Sequence, residues 1–157
     1  MFERATPKLS KHAVHTPSDA VVADTDALCA LAMTVARQAY APYSKLQVGA
    51  ALRSKAGHVY SGCNVENAAY PLGGCAERGA IAMAVQAEGA SFRLAEIAVA
   101  AFAEDGAALP VSPCGGCRQA LVEFGPDAAV SFRQPDGGWV AVSADALLPW
   151  RFVFPEN

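Results

Sequence analysis

The sequence predicts an α/β fold in which a mixed sheet carries helices on both faces. Three observations predict it. Helix-like and strand-like patterns alternate from about residue 25 to residue 149. The segment "AEIAVAAFA", residues 95–103, is a nearly continuous apolar run, the mark of a strand buried on both sides. Two further pairs of strand-like runs are joined by short turns, "KAG" and "PDGG", as hairpins are. The resulting order is helix, two strands, helix, strand, helix, two strands, helix. A central sheet between helices buries all of these elements at once.

Each element has its own signal. Residues 1–22 are polar and aperiodic and read as a flexible leader, which leaves 23–157 as one domain. A helix is expected over about 25–40. Asp24 or Thr25 offers its cap, Leu28, Leu31, Ala32, Val35 and Ala39 share a face, and Pro42 stops it. "LQVGAALRS" reads as a strand from Leu46 to Arg53, and "HVYSGC" pairs back with it. "NVENAAYPLGG" is a loop rich in Asn, Pro and Gly. The helix opened by Cys75 runs to about Glu88, where Gly89 ends it. After the buried strand, a loop through Pro110 and Pro113 leads into "CGGCRQALVEF", a short helix closed by Gly125 and Pro126. "AAVSFRQ" and "GWVAVS" are the last two strands, and "SADALLP" is the last short helix.

Composition narrows the function classes. A chain of 157 residues suits one domain and buries a core without covalent staples. The hydrophobic share of 53%, rich in alanine and valine, is above the usual range. No apolar run approaches the roughly 20 residues needed to cross a bilayer, and no secretory signal is legible. The surplus therefore points to contact between subunits. A net charge of −3 without any run of lysine or arginine argues against a nucleic acid polymer as partner. The five cysteines are odd in number and unevenly spaced, which indicates reduced thiols in a cytoplasmic protein rather than a disulfide framework. Cys29 fits a helix face as a small hydrophobe. Cys75, Cys114 and Cys117 do not read that way.

Cys114 and Cys117 form a C-x2-C pair at a helix start, where positions i and i+3 share a face and both sulfurs can reach one ion. Cys75 opens another helix 39 residues earlier. Helix N-termini carry partial positive charge and favour thiolate over thiol. Zinc accepts such ligands tetrahedrally, and three of them leave a position open for water. Three thiolates on a divalent ion leave an excess negative charge that weakens it as a Lewis acid. Hydrogen bonds from Arg78 and Arg118 to sulfur would offset that charge. A fourth ligand, Cys63 or His58, would instead close the site and leave a structural zinc module. Glu77, two residues after Cys75, argues for a working site, since a carboxylate beside metal-bound water is a proton shuttle. Taken alone, an acid in a first helical turn is commonly just a solvent-exposed partner of the helix dipole.

"CAE" followed at a distance by "PCGGC" resembles the cysteine form of the zinc deaminase pattern. The finer resemblance is to the small, homotetrameric cytidine deaminases. "APYSKLQVGAAL", "GCNVENAAYP", "CAERGAI", "SPCGGCRQAL" and "LLPWRF" follow that family's blocks in order, over roughly residues 27–152. The resemblance implies a three-layer α/β/α sandwich with a central mixed five-stranded sheet, and one Zn2+ per subunit. It implies hydrolytic deamination of cytidine and 2′-deoxycytidine, with ammonia released, in pyrimidine salvage. It implies that Cys75, Cys114 and Cys117 ligate the zinc, that Glu77 is the general acid and base, and that Arg78 and Arg118 moderate thiolate charge. Asn64 and Glu66 match the pair that holds the ribose hydroxyls. An amide and a carboxylate two apart on an extended segment do point the same way and suit adjacent hydroxyls. The backbone N–H of Ala76 matches a contact to the base carbonyl. Ala68 and Tyr70 match positions that reach a neighbouring subunit's substrate, and Phe152 resembles the C-terminal aromatic that covers the base from another subunit. Two departures stand out. Leu46 occupies a place where the family usually has an aromatic, and the tail "FVFPEN" leaves both Phe152 and Phe154 as candidates to close the site. The nearest rival within the superfamily is a blasticidin-type deaminase, which shares "CAE" and "PCGxC".

Overall fold

The computed structural model describes residues 19–155. The leader expected over 1–22 lies outside the described residues except for its last four positions, which are helical. Helix α1 spans Asp19–Ala36, so it starts and stops earlier than the sequence suggests. Asp24 and Thr25 lie inside it rather than at its cap. The Thr25 hydroxyl donates to Glu96 Oε2 at 3.1 Å instead. The helix ends before Pro42 acts. The N–H groups of Arg37, Gln38 and Ala39 bond three residues back, to Thr34, Val35 and Ala36, and this tightened turn winds the helix out.

Strands β1 (Gln47–Ser54) and β2 (Val59–Cys63) form the expected hairpin, in register from Arg53 opposite Val59 to Gly49 opposite Cys63. Helix α2 covers Ala76–Glu88 and ends at Gly89, whose φ of 68° is a conformation that glycine adopts at little cost. Next come β3 (Leu94–Phe102), β4 (Ala108–Leu109), α3 (Gly115–Phe124), β5 (Ala129–Arg133), β6 (Trp139–Ser143) and α4 (Ala144–Leu147). The sheet order is β2-β1-β3-β5-β6. The β3–β5 pair is parallel and the other pairs are antiparallel, so the sheet is mixed, as expected. The strand count is six rather than five. β5 covers only Glu96–Val99 of β3, and β4 pairs with Ala101 and Phe102 beyond it. A two-residue strand is too short to leave a periodic signal.

Alternation along the strands builds the two faces. Ala50, Leu52, Ile97, Val99 and Val130 point into a core shared with residues of α2, α3 and α4. Ala51, Ala98, Ala100 and Phe102 point the other way, into a core with Leu28, Cys29, Ala32 and Ala36 of α1. Both faces of β3 are therefore buried, which explains its unbroken apolar run. Contact across the layers is close enough to require glycine at two points. A Cβ at Gly49 would strike the backbone of Ala32 and Ala36, and one at Gly62 would lie 2.6 Å from Ala80 N and 2.7 Å from Ala76 O. Gly62 thus lets the first turns of α2 lie directly on β2.

Candidate metal centre and active site

Two helix starts meet at one point. Cys75 is the residue that opens α2 and Cys114 the residue that opens α3, both with extended backbone. Cys117 follows within the first turn of α3. The three Sγ atoms lie within 4.8 Å of one another. Tetrahedral ligation with Zn–S bonds of about 2.3 Å places sulfurs about 3.8 Å apart, so the donor set fits a zinc ion. Burial is graded: Cys117 is buried, Cys75 is half-buried and Cys114 is exposed.

The charge balance of the cluster calls for a cation. Burial, then repulsion from Glu77 and from the other sulfurs, pushes the Cys117 thiol far up. Burial also raises Cys75, against the hydrogen bond it receives from Cys117. Burial opposes ionisation of Cys114 as well, but the Cys117 backbone N–H and hydrogen bonds from both other cysteines outweigh it and leave Cys114 below the usual thiol range. Three sulfurs this close cannot all ionise alone, whereas a divalent ion deprotonates its thiol ligands outright.

Glu77, in the first turn of α2, is only 4% exposed, which removes the reading of a solvent-facing first-turn acid. Burial raises its pKa, opposed by its own backbone N–H and by a hydrogen bond from Cys117. A carboxyl group therefore sits within hydrogen-bond reach of a ligand sulfur. Neither suggested fourth ligand joins the cluster. Cys63 is outside it. His58 Nδ1 lies 3.0 Å from Glu88 Oε1. Glu88 closes the 13-residue α2 at the end opposite Cys75, about 18 Å away at 1.5 Å per residue.

The two arginines do not take the expected positions. Arg118 directs Nε to Pro113 O (2.8 Å), Nη1 to Leu147 O (3.2 Å) and Nη2 to Ser112 Oγ (3.1 Å). It braces the loop that carries Cys114 rather than bonding a sulfur. Arg78 is exposed and, among the described residues, makes no hydrogen bond or ion pair.

A small three-stranded junction ties the candidate sugar loop to the metal centre. Val65 N–H donates to Gly74 O (2.9 Å) and Gly74 N–H to Val65 O (2.8 Å), just before Cys75. On the other side, Tyr40 N–H donates to Asn64 O (3.1 Å) and Glu66 N–H to Tyr40 O (2.8 Å). The backbone between Asn64 and Glu66 is bridged on both sides at Val65. Asn64 Oδ1 accepts from Val48 N–H (2.7 Å) and its Nδ2 donates to Leu46 O (2.9 Å). One amide hydrogen and one lone pair of Asn64 remain for another partner. Glu66 Oε2 accepts from the backbone N–H groups of Tyr43 (2.9 Å) and Ser44 (3.2 Å). The Ser44 hydroxyl, most of all, holds the Glu66 pKa below the usual carboxylate range.

A cavity of about 410 Å³ opens here, lined by Tyr43, Ser44, Glu66, Asn67, Tyr70 and Gly73. It reaches to within two residues of Cys75 but is not lined by the sulfurs. The Tyr43 and Tyr70 rings meet edge to face across 6.1 Å. Sequence reasoning missed Tyr43 and Ser44 as partners of Glu66. Their only signal was a turn-like "PYSK" before a strand. Ala76 is fully buried at the start of α2, where backbone N–H groups lack helical acceptors. Ala68 is exposed. Leu46 is half-buried beside Asn64. Tyr70 and Phe152 project outward, 76% and 67% exposed.

Known proteins are similar to the chain in sequence and in fold. The family model for the cytidine and deoxycytidylate deaminase zinc-binding region matches residues 23–133. The chain is similar to a cytidine deaminase of Sporosarcina psychrophila, 48% identical over 101 residues that cover 64% of this chain and 70% of the relative. It is similar to the crystal structure of cytidine deaminase from Burkholderia pseudomallei, with a TM-score of 0.70 at 42% identity, covering 81% of this chain and 98% of that one. Similarity to a blasticidin-S deaminase of Bacillus cereus is lower, 30% over 112 residues, 70% of this chain and 79% of that protein. With three sulfurs set for zinc at two helix starts and a family match across more than half its length, the chain belongs to the cytidine and deoxycytidylate deaminase zinc-binding family.

Proposed function

We propose that the protein hydrolyses the C4 amino group of cytidine and 2′-deoxycytidine, giving uridine and 2′-deoxyuridine and releasing ammonia. The observation that carries this reading is a buried carboxyl group, Glu77, within reach of a cluster of three cysteines suited to zinc. A structural zinc module has no use for such a group, and burying it costs stability.

Cys75, Cys114 and Cys117 hold the ion. A zinc ion held there would supply Lewis acidity and so would ready a water as a nucleophile near neutral pH. Glu77 accepts the proton of that water and delivers it to N3 of the pyrimidine, making C4 electrophilic. The water's oxygen bonds to C4, Glu77 carries its remaining proton to the amine, and the C4–N bond breaks to release ammonia. The Ala76 N–H, free at the helix start, holds the base carbonyl. Glu66, oriented by Tyr43 and Ser44, and the spare amide hydrogen of Asn64 address the sugar hydroxyls. Arg118 acts on the thiolates indirectly, by holding the Cys114 loop in place.

The aromatic residues left outside, Tyr70 and Phe152 among them, support a homotetramer in which neighbouring chains complete one another's sites. All five cysteines are free thiols, in keeping with a cytoplasmic setting and a place in nucleoside salvage. No helix among the described residues is long and apolar enough to cross a membrane.

Purified protein incubated with cytidine should lower the ultraviolet absorbance of the nucleoside, lose that activity to a chelator and regain it with zinc. Light scattering on the same preparation should give four times the 16.3 kDa chain mass. Turnover of blasticidin S but not of cytidine would contradict the reading. A monomer at full activity would contradict the shared site.

A further inference from the structure

The two residues after the ligand Cys117 both hold the C-terminal segment. Arg118 Nη1 donates to Leu147 O at 3.2 Å. Gln119 takes both backbone groups of Phe152: Nε2 donates to Phe152 O at 3.0 Å, and Oε1 accepts the Phe152 N–H at 2.9 Å. A side-chain amide that engages the N–H and C=O of a single residue reproduces one rung of strand pairing. The backbone held this way carries outward rings. Phe152 is 67% exposed, between Trp150 at 96% and Phe154 at 77%. Fixing a main chain while leaving its aromatic side chain in water opposes the hydrophobic effect, unless another surface receives the ring.

We propose that Gln119 is a positioning residue: its amide fixes Phe152, rather than Phe154, as the aromatic offered to the nucleoside base in a neighbouring copy of the chain. This rests on the deaminase reading above. Among the described residues Phe154 makes no hydrogen bond that would hold it in one place. Gln119 sits on the same turn of α3 as Cys117. One short helix therefore supplies a ligand to its own metal and sets the ring that closes its neighbour's site.

The test compares four variants and a double mutant in the zinc-loaded protein. Gln119→Leu removes both bonds at similar size. Gln119→Glu keeps the acceptor for the Phe152 N–H and loses the donor to Phe152 O. With cytidine, Gln119→Leu should raise KM about five-fold, the scale of one lost aromatic contact, with kcat changed less than about two-fold. Gln119→Glu should fall between it and the parent. Phe152→Ala should match or exceed Gln119→Leu, the double variant should be no worse than Phe152→Ala alone, and Phe154→Ala should resemble the parent. Hydrogen exchange at the Phe152 amide, slow in the parent, should become fast in Gln119→Leu.

If Phe152→Ala raises KM but Gln119→Leu does not, or the two effects add, the positioning role is overturned while the deaminase reading stands. A KM effect at Phe154 in place of Phe152 overturns the choice of ring. If the parent does not turn over cytidine, the underlying reading fails. Unchanged exchange at the Phe152 amide in Gln119→Leu then overturns the hold on the tail by itself.

Discussion

Glu77 shows most clearly what the fold adds to the sequence. Its spacing from Cys75 suggested a proton carrier, yet that spacing equally suits an exposed partner of the helix dipole. Burial to 4% exposure removes the second reading and supports the first. Glu77→Gln keeps shape and volume but cannot move a proton. Zinc content should hold while kcat falls about 10²–10⁴-fold, the range for losing a general acid and base. Turnover within a few-fold of the parent would remove Glu77 from the reaction. Glu66 makes a second prediction at this scale. Hydrogen bonds from the Ser44 hydroxyl and from the Tyr43 and Ser44 N–H groups lower its folded pKa. Its contribution to stability is therefore present above the unfolded value of about 4.3 and lost as pH falls through the lower folded value. Glu66→Gln should lower Tm at pH 7, and the difference should close as pH falls below the unfolded value and through the lower folded value. A constant difference in Tm across that range would show that the charge of Glu66 contributes nothing to holding the 43–44 turn.

At the scale of elements, the site depends on how closely α2 lies on the sheet. Gly62→Ala would place a methyl 2.6–2.7 Å from backbone atoms of Ala76 and Ala80, which cannot rotate away as side chains can. α2 must shift, at a cost of about 1–3 kcal/mol, typical of overpacking. Cys75 and Glu77 ride on that first turn, so zinc affinity should fall along with Tm. Gly49→Ala, whose methyl would strike α1 instead, should lower stability without a selective loss of zinc per folded molecule. Equal zinc loss in both variants would show that the effect is general unfolding. Most elements were legible from the chain alone, because β3 is buried on both faces and Cys75, Cys114 and Gly89 mark helix ends. What was not legible has physical causes. The upstream start of α1 is a short apolar block, Ala20–Ala23, without the spacing that marks a helix face, and Asp24 and Thr25 after it mimic a cap. β4 is held by two residue pairs, too few for a pattern. The Tyr40–Val65–Gly74 junction consists of isolated bridges between distant segments, which no local signal announces.

For the molecule as a whole, the apolar surplus has two destinations. The sequence pointed to subunit contact. Much of the alanine is in fact spent inside the chain, where Ala32, Ala36, Ala76, Ala80 and Ala84 are fully buried. Small side chains let helices approach the sheet closely, so the composition reflects close packing of helix on sheet within one chain. Phe92, Leu28, Leu52 and Ile97 fill the core, while a set of large apolar residues stays outside, from Tyr40, Tyr43 and Tyr70 to Trp150, Phe152 and Phe154 in the tail. The three clustered cysteines could be picked out from spacing and helix starts because those are local features. The partners of Arg118 could not, since they come from the separate 112–113 and 147 segments. All of the chemistry requires that three cysteines, and no more, hold one zinc with a fourth position free. X-ray absorption at the zinc edge of the loaded protein tests this most directly. The expected result is three sulfurs at about 2.3 Å and one oxygen or nitrogen at about 2.0 Å. Four sulfurs, or fewer than three, would contradict it.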